Sequence, residues 1–205
     1  MDFFRFYEMF HAQGVVSSKE LSSLSETFDK NNLTRWCHQG WLIKLRNGFY
    51  AFPELANKPN FIYFIANQIY GNSYVSLYSA LIYHRYLPPQ FGMQVSSVSD
   101  LKTNSFRNPL GRFDYQKMKP ELLFGYIQHE GDHPFRIAGP EKALLDLFYL
   151  YPAYYAGEQE MRNFALDHRM MYEDFQPQLF YEYLPLFENL SLEKRVAIFA
   201  RMYGI

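Results

Sequence analysis

The chain lacks the groups that cross-link a protein or anchor it in a membrane. It has one cysteine, Cys37, among 205 residues, so an internal disulfide is excluded and a zinc site would have to rest on histidines. No run of about 18 apolar residues is free of charge. The segment from Met1 to Arg5 has neither a basic leader nor a small-residue cleavage site. These absences predict a cytoplasmic protein with no membrane partner.

The chain also has almost no net charge: its formal charge is −1. No global field therefore draws the protein to phosphate, and any contact with nucleic acid must come from a local basic cluster. One such cluster exists: from Lys30 to Arg46 the chain carries four Lys or Arg and no Asp or Glu. Aromatic residues are plentiful, with 20 Phe and 18 Tyr, but they are spread along the chain and indicate a core built from rings.

Motifs for catalysis are absent as well: the sequence contains no Gly-x-Gly-x-x-Gly, no phosphate-loop motif and no Gly-x-Ser-x-Gly. Glu141 and Asp146 are five positions apart, which on a helix separates them by about 140° around the axis. They cannot converge on one ion, so Glu141 is interpreted as a helix-start charge and Asp146 as the i+4 partner of Lys142. We predict no catalytic residue, no bound metal and no cofactor.

Two further groups invite a metal or acid-base interpretation, and each has a simpler one. His129 and His133 flank Glu130-Gly131-Asp132, a turn-forming run with no further His or Cys nearby to complete a metal site. His84, at the end of a predicted helix, is interpreted as a partner of the helix dipole.

Three short helices are predicted at the N-terminus. Phe3, Phe6 or Tyr7, and Phe10 recur at helical spacing over residues 2–12, and Gly14 ends that helix. Ser17 stands three residues before Glu20 in the pattern of a capping box, which predicts a second helix. The third helix is predicted from its cap Asp29 through Gln39, with Leu33, Trp36 and Cys37 facing inward and Gly40 closing it.

A hairpin follows at once. Asn47-Gly48 lies between two apolar runs and predicts a two-residue turn in which both residues take positive φ. In this register Leu45 pairs with Tyr50, and Arg46 lies opposite Phe49.

Helices followed by a tight hairpin within about fifty residues are the order of a winged helix-turn-helix, which we predict for residues 1–54 as a domain that binds double-stranded DNA. The third helix would enter the major groove and the hairpin would contact the adjacent backbone. The predicted DNA-binding residues are Ser18, Lys30, Asn31, Asn32, Thr34, Arg35, His38, Lys44, Arg46 and Asn47. Two alternatives stay open, a nucleic-acid-processing enzyme that a winged helix targets and a winged helix that docks protein.

After a predicted linker from Pro53 to Pro59, residues 60–205 are predicted to form a mixed α/β domain with a small antiparallel sheet and C-terminal helices, so the whole chain is of the α+β class. Helices are predicted at 60–70, 76–86, 140–152, 158–170, 175–184 and 191–203, and strands at 93–99, 111–118 and 122–129. A possible second basic patch comprises Lys102, Arg107 and Arg112, with Lys117 and Lys119 close behind. These side chains either contact phosphate or lie in a solvated loop between strands.

Several segments resemble one family, the AbiEi-type antitoxins, which are transcriptional regulators of abortive-infection (type IV) toxin-antitoxin systems. The resembling segments are Gly14-Val15-Val16 with Glu20-Leu21, then 36–42, 45–51, 74–81, and Arg136-Ile137-Ala138-Gly139-Pro140-Glu141-Lys142-Ala143-Leu144-Leu145-Asp146. Together they reach to about residue 150, and the last of them is the most specific. The final fifty residues match no motif that we can name.

The resemblance implies a DNA-binding repressor of its own operon that acts in phage defence and has no enzymatic activity. Its operator would be double-stranded DNA with an inverted repeat. Its functional partner would be a nucleotidyltransferase-like toxin, which the second domain helps to neutralise, commonly without a stable complex between the two proteins.

Overall fold

The computed structural model describes residues 1–24, 28–89, 92–164 and 166–205. The protein is of the mixed α+β class, as the sequence predicts. Its helices are α1 (Phe3–Phe10), α2 (Ser18–Leu24), α3 (Asn31–His38), α4 (Phe61–Ile69), α5 (Leu77–Tyr83), α6 (Pro140–Leu150), α7 (Glu158–Arg162), α8 (His168–Glu173), α9 (Pro177–Tyr183) and α10 (Leu190–Tyr203). Its strands are β1 (Val15–Ser17), β2 (Ile43–Arg46), β3 (Phe49–Ala51), β4 (Ser73–Val75), β5 (Gln94–Ser99), β6 (Asn104–Asn108), β7 (Gly111–Lys117), β8 (Tyr126–His129) and β9 (Phe135–Ala138). Within these ranges, no helix combines the length and apolar character needed to cross a bilayer.

The N-terminal part packs α1, α2 and α3 beside a three-stranded antiparallel sheet of order β1-β3-β2. Its core is aromatic: Phe6 and Trp36 are buried with ring centroids 4.8 Å apart, and Phe28 packs against both. Such rings bury a large apolar area per residue, which allows helices of only seven or eight residues to hold a fixed arrangement.

Helix α2 begins at Ser18 with a side-chain cap from Ser17, but the predicted capping box with Glu20 does not form. Ser17 Oγ accepts a hydrogen bond from the Lys19 backbone N–H at 3.2 Å. Glu20 does not complete the box, because its carboxylate accepts from the Gln13 side chain at 2.8 Å. Gln13 ends the short 3-10 helix His11–Gln13, so this bond ties α2 to the segment after α1.

The hairpin of β2 and β3 forms where predicted, but in a different register. Arg46 does lie opposite Phe49, whereas Tyr50 pairs with Lys44 and not with Leu45. Leu45 sits at a β-bulge, an extra residue that shifts the pairing by one position. Gly48 has a φ of 82°, while Asn47 does not share the predicted positive φ.

The second sheet is larger than predicted and is not purely antiparallel. It has six strands in the order β6-β7-β5-β4-β9-β8, and the pairs β4–β9 and β5–β7 are parallel. The sequence does not predict three of its strands, β4, β6 and β9. Strand β4 has only three residues, and β6 reads Asn-Ser-Phe-Arg-Asn, in which a single apolar residue gives no alternation.

Helices cover both faces of this sheet. The buried Tyr115 of β7 donates its hydroxyl to the Ala66 carbonyl of α4 at 2.7 Å, which places α4 on one face. On the other face Ser79 of α5 and Ser96 of β5 contact each other through their hydroxyls at 3.1 Å. Helix α6 packs beside α5, and α9 and α10 close over α6.

Two predicted segments have a different local structure. The linker from Pro53 to Pro59 contains a 3-10 helix, Pro53–Asn57, whose Leu55 is buried. The helix predicted at 158–170 is divided into α7 and α8, and Ala165, which it would include, lies outside the described residues. Asp167 caps α8 by accepting from the backbone N–H groups of Arg169 and Met170.

The N-terminal part and the remainder share one continuous core. At the junction, a Cβ added to Gly14 would lie 2.9 Å from His133 Cε1 and 3.0 Å from the Phe61 ring. Glycine is therefore needed at this position for close approach as well as for its φ of 79°.

Candidate nucleic-acid interface

Helix α3 has one buried and one exposed face. Leu33 and Trp36 are buried and Cys37 is partly so, which confirms the predicted inward face. The predicted outward side chains are all exposed: Lys30, Asn31, Thr34, Arg35 and His38. Asn32 lies at the edge, where its side-chain amide donates to the Met1 carbonyl at 3.4 Å.

Contacts at both ends of α3 and on its buried face fix the position of the helix. Asp29 Oδ1 accepts from the Asn31 backbone N–H at 2.9 Å and so satisfies one of the free donors at the helix start. Trp36 packs between Phe3 and Phe6, with centroid distances of 5.2 and 4.8 Å. Gly40, with a φ of 74°, ends the helix. The exposed side chains are therefore presented on a rigid element.

Lys44 extends the exposed face of α3 onto the hairpin. It is exposed on β2, and its charge acts on Cys37 of α3: burial raises the pKa of the Cys37 thiol, and the nearby Lys44 ammonium partly offsets that rise. The Lys44 ammonium therefore lies close to Cys37 of α3. We call the set Lys30, Asn31, Thr34, Arg35, His38 and Lys44 the α3 surface; it holds three Lys or Arg and no carboxylate.

Two other residues predicted to contact DNA, Ser18 and Asn47, lie at the hairpin turn. The backbone N–H of Ser18, the first residue of α2, donates to the Gly48 carbonyl at 2.8 Å, so the hairpin turn is tied to the start of α2. Asn47 is exposed at the same turn, and the Ser18 side chain is half-buried.

The structure gives Arg46 a different environment from the one expected of a DNA contact. Its Nε donates to the Ile69 carbonyl at the end of α4. Its guanidinium carbon lies 4.2 Å from the Phe49 ring centroid and 5.3 Å from that of Phe106. Burial lowers the pKa of Arg46, an effect that the hydroxyls of Tyr115 and Tyr70 oppose. Arg46 thus joins the hairpin to the rest of the molecule, and we leave it out of the α3 surface.

The second predicted basic patch lies on β6 and β7 and in the loop before β6. Arg107 and Arg112 form a cross-strand pair on β6 and β7, and both are exposed. Lys102 is exposed in the preceding loop, where its carbonyl accepts from the Tyr70 hydroxyl at 2.5 Å. Arg112 has two neighbours on the sheet: Asp114, two residues further along β7, and Gln94 on β5. The sequence does not reveal Gln94 as a neighbour, because it lies far from Arg112 along the chain.

Glu141 and Asp146 both belong to the core. The Glu141 carboxylate accepts from the Gln176 backbone N–H at 2.8 Å. Asp146 forms the predicted i+4 ion pair with Lys142, and both side chains are 0% exposed. Tyr74 and Ser76 donate their hydroxyls to the other oxygen of Asp146 at 3.0 and 2.7 Å.

The histidines that were considered as metal ligands also pack against rings. His129 stacks on Phe135 with centroids 4.7 Å apart. His133 lies 4.8 Å from the Phe61 ring and 5.0 Å from the Phe64 ring. His84, at the end of α5, hydrogen-bonds to the Ala138 carbonyl at 2.9 Å.

Comparison with protein-family models and with curated proteins gave no match for this chain. What the α3 surface can bind is therefore inferred from its own side chains. Arginine and lysine donors bind phosphate oxygens or guanine, and the amide of asparagine pairs with adenine, when a helix places them in the major groove.

Proposed function

We propose that residues 1–54 form a winged helix-turn-helix that binds double-stranded DNA through the α3 surface. Helix α3 lies in the major groove, and Lys44 contacts a phosphate of the adjacent backbone. The observation that supports this proposal is that α3 and its N-cap residue Lys30 together expose five polar or charged side chains, while Trp36 and Leu33 fix the other face of the helix.

The order of elements supports this assignment. Along the chain, helices α1 to α3 and strands β1 to β3 follow one another in the order helix, strand, helix, helix, strand, strand. This order pairs a helix-turn-helix with a hairpin wing. The net charge of −1 makes the local concentration of cations on the α3 surface the source of any affinity for phosphate.

We further propose that the chain is a non-enzymatic transcriptional repressor and the antitoxin of an abortive-infection operon, as its resemblance to AbiEi-type antitoxins implies. In this proposal residues 60–205 act on a nucleotidyltransferase-like toxin and the α3 surface represses the operon. The two roles use different surfaces and are separable by mutation.

A gel-shift titration tests DNA binding. The probe is the DNA immediately upstream of the gene, and the dissociation constant is measured as a function of salt for the wild type and for Lys30→Gln/Arg35→Gln/Lys44→Gln. Each lost phosphate contact lowers the slope of log K against log salt by about 0.9, so the triple variant is expected to lose up to about 2.7.

The matched control is Lys119→Gln/Arg169→Gln/Lys194→Gln, which removes the same charges from exposed positions elsewhere. It should keep the wild-type slope. Equal slopes for the two triple variants would refute the role of the α3 surface. For the antitoxin role, the α3-surface variant should still protect cells that express the product of the adjacent gene, whereas its repression of the operon should be lost.

A further inference from the structure

A polar cleft lies on the face of the second sheet opposite α4. It has a volume of about 320 Å³, within the range of small-molecule sites. Its walls include Gln94, Arg112, Asp114, Gln116, Tyr151 and Tyr154. We call it the β7 cleft.

The strand register explains why the β7 cleft is polar. In β7 the side chains of Phe113 and Tyr115 are buried on the α4 side, and the residues that alternate with them, Arg112 and Asp114, face the cleft. The parallel pairing of β5 with β7 sets Gln94 beside Arg112. Charged and amide groups thus gather on one face of the sheet. Because another part of the same face packs against α5, apolar side chains would be expected there.

Hydrogen bonds hold these groups in place. Asp114 Oδ1 accepts from Arg112 Nε at 2.9 Å, and Asp114 Oδ2 accepts from the Gln94 amide at 2.8 Å. Because the ion pair uses Nε, both terminal nitrogens of Arg112 keep their donor capacity, and among the described residues neither has a hydrogen-bond partner. This arrangement is preorganised for an anion.

A second guanidinium increases the positive charge. Arg107 lies directly opposite Arg112 in the antiparallel pair of β6 and β7, and like charges in this position repel each other. The two arginines together line a shallower recess beside Gly111, whose missing Cβ allows the Met93 carbonyl to approach closely. Arg107 belongs to this recess and not to the walls of the β7 cleft, whereas Arg112 lines both. A phosphate bound between the two guanidiniums would relieve their repulsion.

Aromatic rings stand across the cleft from these charges. Tyr154 is 72% exposed, an uncommon exposure for so large a ring, and Tyr151 lies beside it with a centroid distance of 6.2 Å. Exposed rings next to a basic groove are used to stack nucleic-acid bases. Gln116 and Asp114 supply a donor and acceptors for the edge of a stacked base.

We infer that the β7 cleft and the adjoining recess bind a nucleotide, with its phosphate on Arg112, which lines both, and on Arg107 of the recess, and with its base on Tyr154 of the cleft. A free nucleotide and the terminal nucleotide of a single strand share this chemistry. The site lies on the second sheet and does not depend on the proposed DNA-binding role of the α3 surface.

Isothermal titration of the full chain tests the inference, with adenosine monophosphate, adenosine, inorganic phosphate and a 5′-phosphorylated oligothymidylate as separate probes. Adenosine monophosphate should bind more tightly than either phosphate or adenosine. Tighter binding of the oligonucleotide would identify a single strand as the source, and tighter binding of the mononucleotide would identify a free ligand; both results support the site.

The variants separate the two halves of the site. Arg112→Gln and Arg107→Gln should each weaken binding of adenosine monophosphate at least about tenfold, because each removes a charged donor to phosphate. Tyr154→Leu should weaken it about tenfold through lost stacking. The controls are Arg169→Gln and Tyr172→Leu, at exposed positions on α8, and the Lys30→Gln/Arg35→Gln/Lys44→Gln variant, all of which should bind as the wild type does.

Arg107 is outside the Arg112–Asp114 ion pair, so its variant reports on binding even if Arg112→Gln disturbs the fold. No measurable binding of adenosine monophosphate would overturn the inference. Equal binding of phosphate and adenosine monophosphate, with no effect of Tyr154→Leu, would overturn it too, because the site would then recognise a bare anion.

Discussion

The guanidinium carbon of Arg46 lies 5.3 Å from the centre of the Phe106 ring, and this contact joins the β2–β3 hairpin to edge strand β6 of the second sheet. Asn108, two residues further along β6, donates its side-chain amide to the Leu45 carbonyl at 3.0 Å. The hairpin is thus tied to the second sheet both by a cation–π contact and by a hydrogen bond.

Replacement of Arg46 should cost stability and not electrostatic affinity for DNA. Arg46→Gln removes a charge-assisted hydrogen bond to the Ile69 carbonyl and the stacking on Phe49 and Phe106, a loss of about 2 kcal/mol in the free energy of unfolding. Urea denaturation measures this value, with the exposed Lys30→Gln as a control that should stay within about 0.5 kcal/mol of the wild type. If Arg46→Gln instead lowers the salt slope of DNA binding and leaves stability unchanged, Arg46 contacts phosphate.

The distinction between Arg46 and its neighbours shows what the sequence alone can predict. The outward face of α3 follows from spacings of three and four residues, and the Lys142–Asp146 pair from a spacing of four, because both are set within one helix. The partners of Arg46 come from α4 and β6, which are distant in sequence, so local pattern does not reveal them. Strand β6 itself has too few apolar residues to predict. The β7 cleft cannot be anticipated either, because it depends on the parallel pairing of β5 with β7, which no local pattern indicates.

Loss of either member of the buried pair of Lys142 and Asp146 should lower the free energy of unfolding. The two losses should depend on pH with opposite signs. Burial lowers the pKa of Lys142 and raises that of Asp146, and each partner opposes the shift of the other. Asp146→Asn leaves a buried ammonium without a counter-charge, and Lys142→Met leaves a buried carboxylate. Each change should cost about 3–5 kcal/mol at pH 7.

The pH dependence distinguishes the two variants. In Asp146→Asn the folded state binds the Lys142 proton less tightly than the unfolded state does, so stability should rise with pH towards the ordinary lysine pKa. In Lys142→Met the folded state holds the Asp146 proton more tightly, so stability should fall as pH rises above the ordinary aspartate pKa. Urea titrations at pH 5, 7 and 9 measure both trends. Parallel pH profiles of the two variants would contradict a coupled ion pair.

The contact of His133 with Gly14 should make the junction between the N-terminal part and the second sheet sensitive to acid. Both ring nitrogens of His133 are buried, and within the described part of the chain neither has a hydrogen-bond partner. Burial lowers the pKa of His133, Lys58 and His11 lower it further, and Asp132 opposes them. The neutral ring is the form that packs against Phe61 and Phe64.

A lowered histidine pKa means that the unfolded state binds the proton more tightly, so the free energy of unfolding should fall as pH decreases below the ordinary histidine pKa. The slope for one group cannot exceed about 1.4 kcal/mol per pH unit, and solvent at the partly exposed ring reduces it. His133→Leu should flatten the profile between pH 7 and pH 5 without abolishing it, because burial also lowers the pKa of His84. His38→Gln, on the exposed face of α3, should leave the profile as it is in the wild type. An unchanged slope in His133→Leu would show that protonation of this ring does not destabilise the junction.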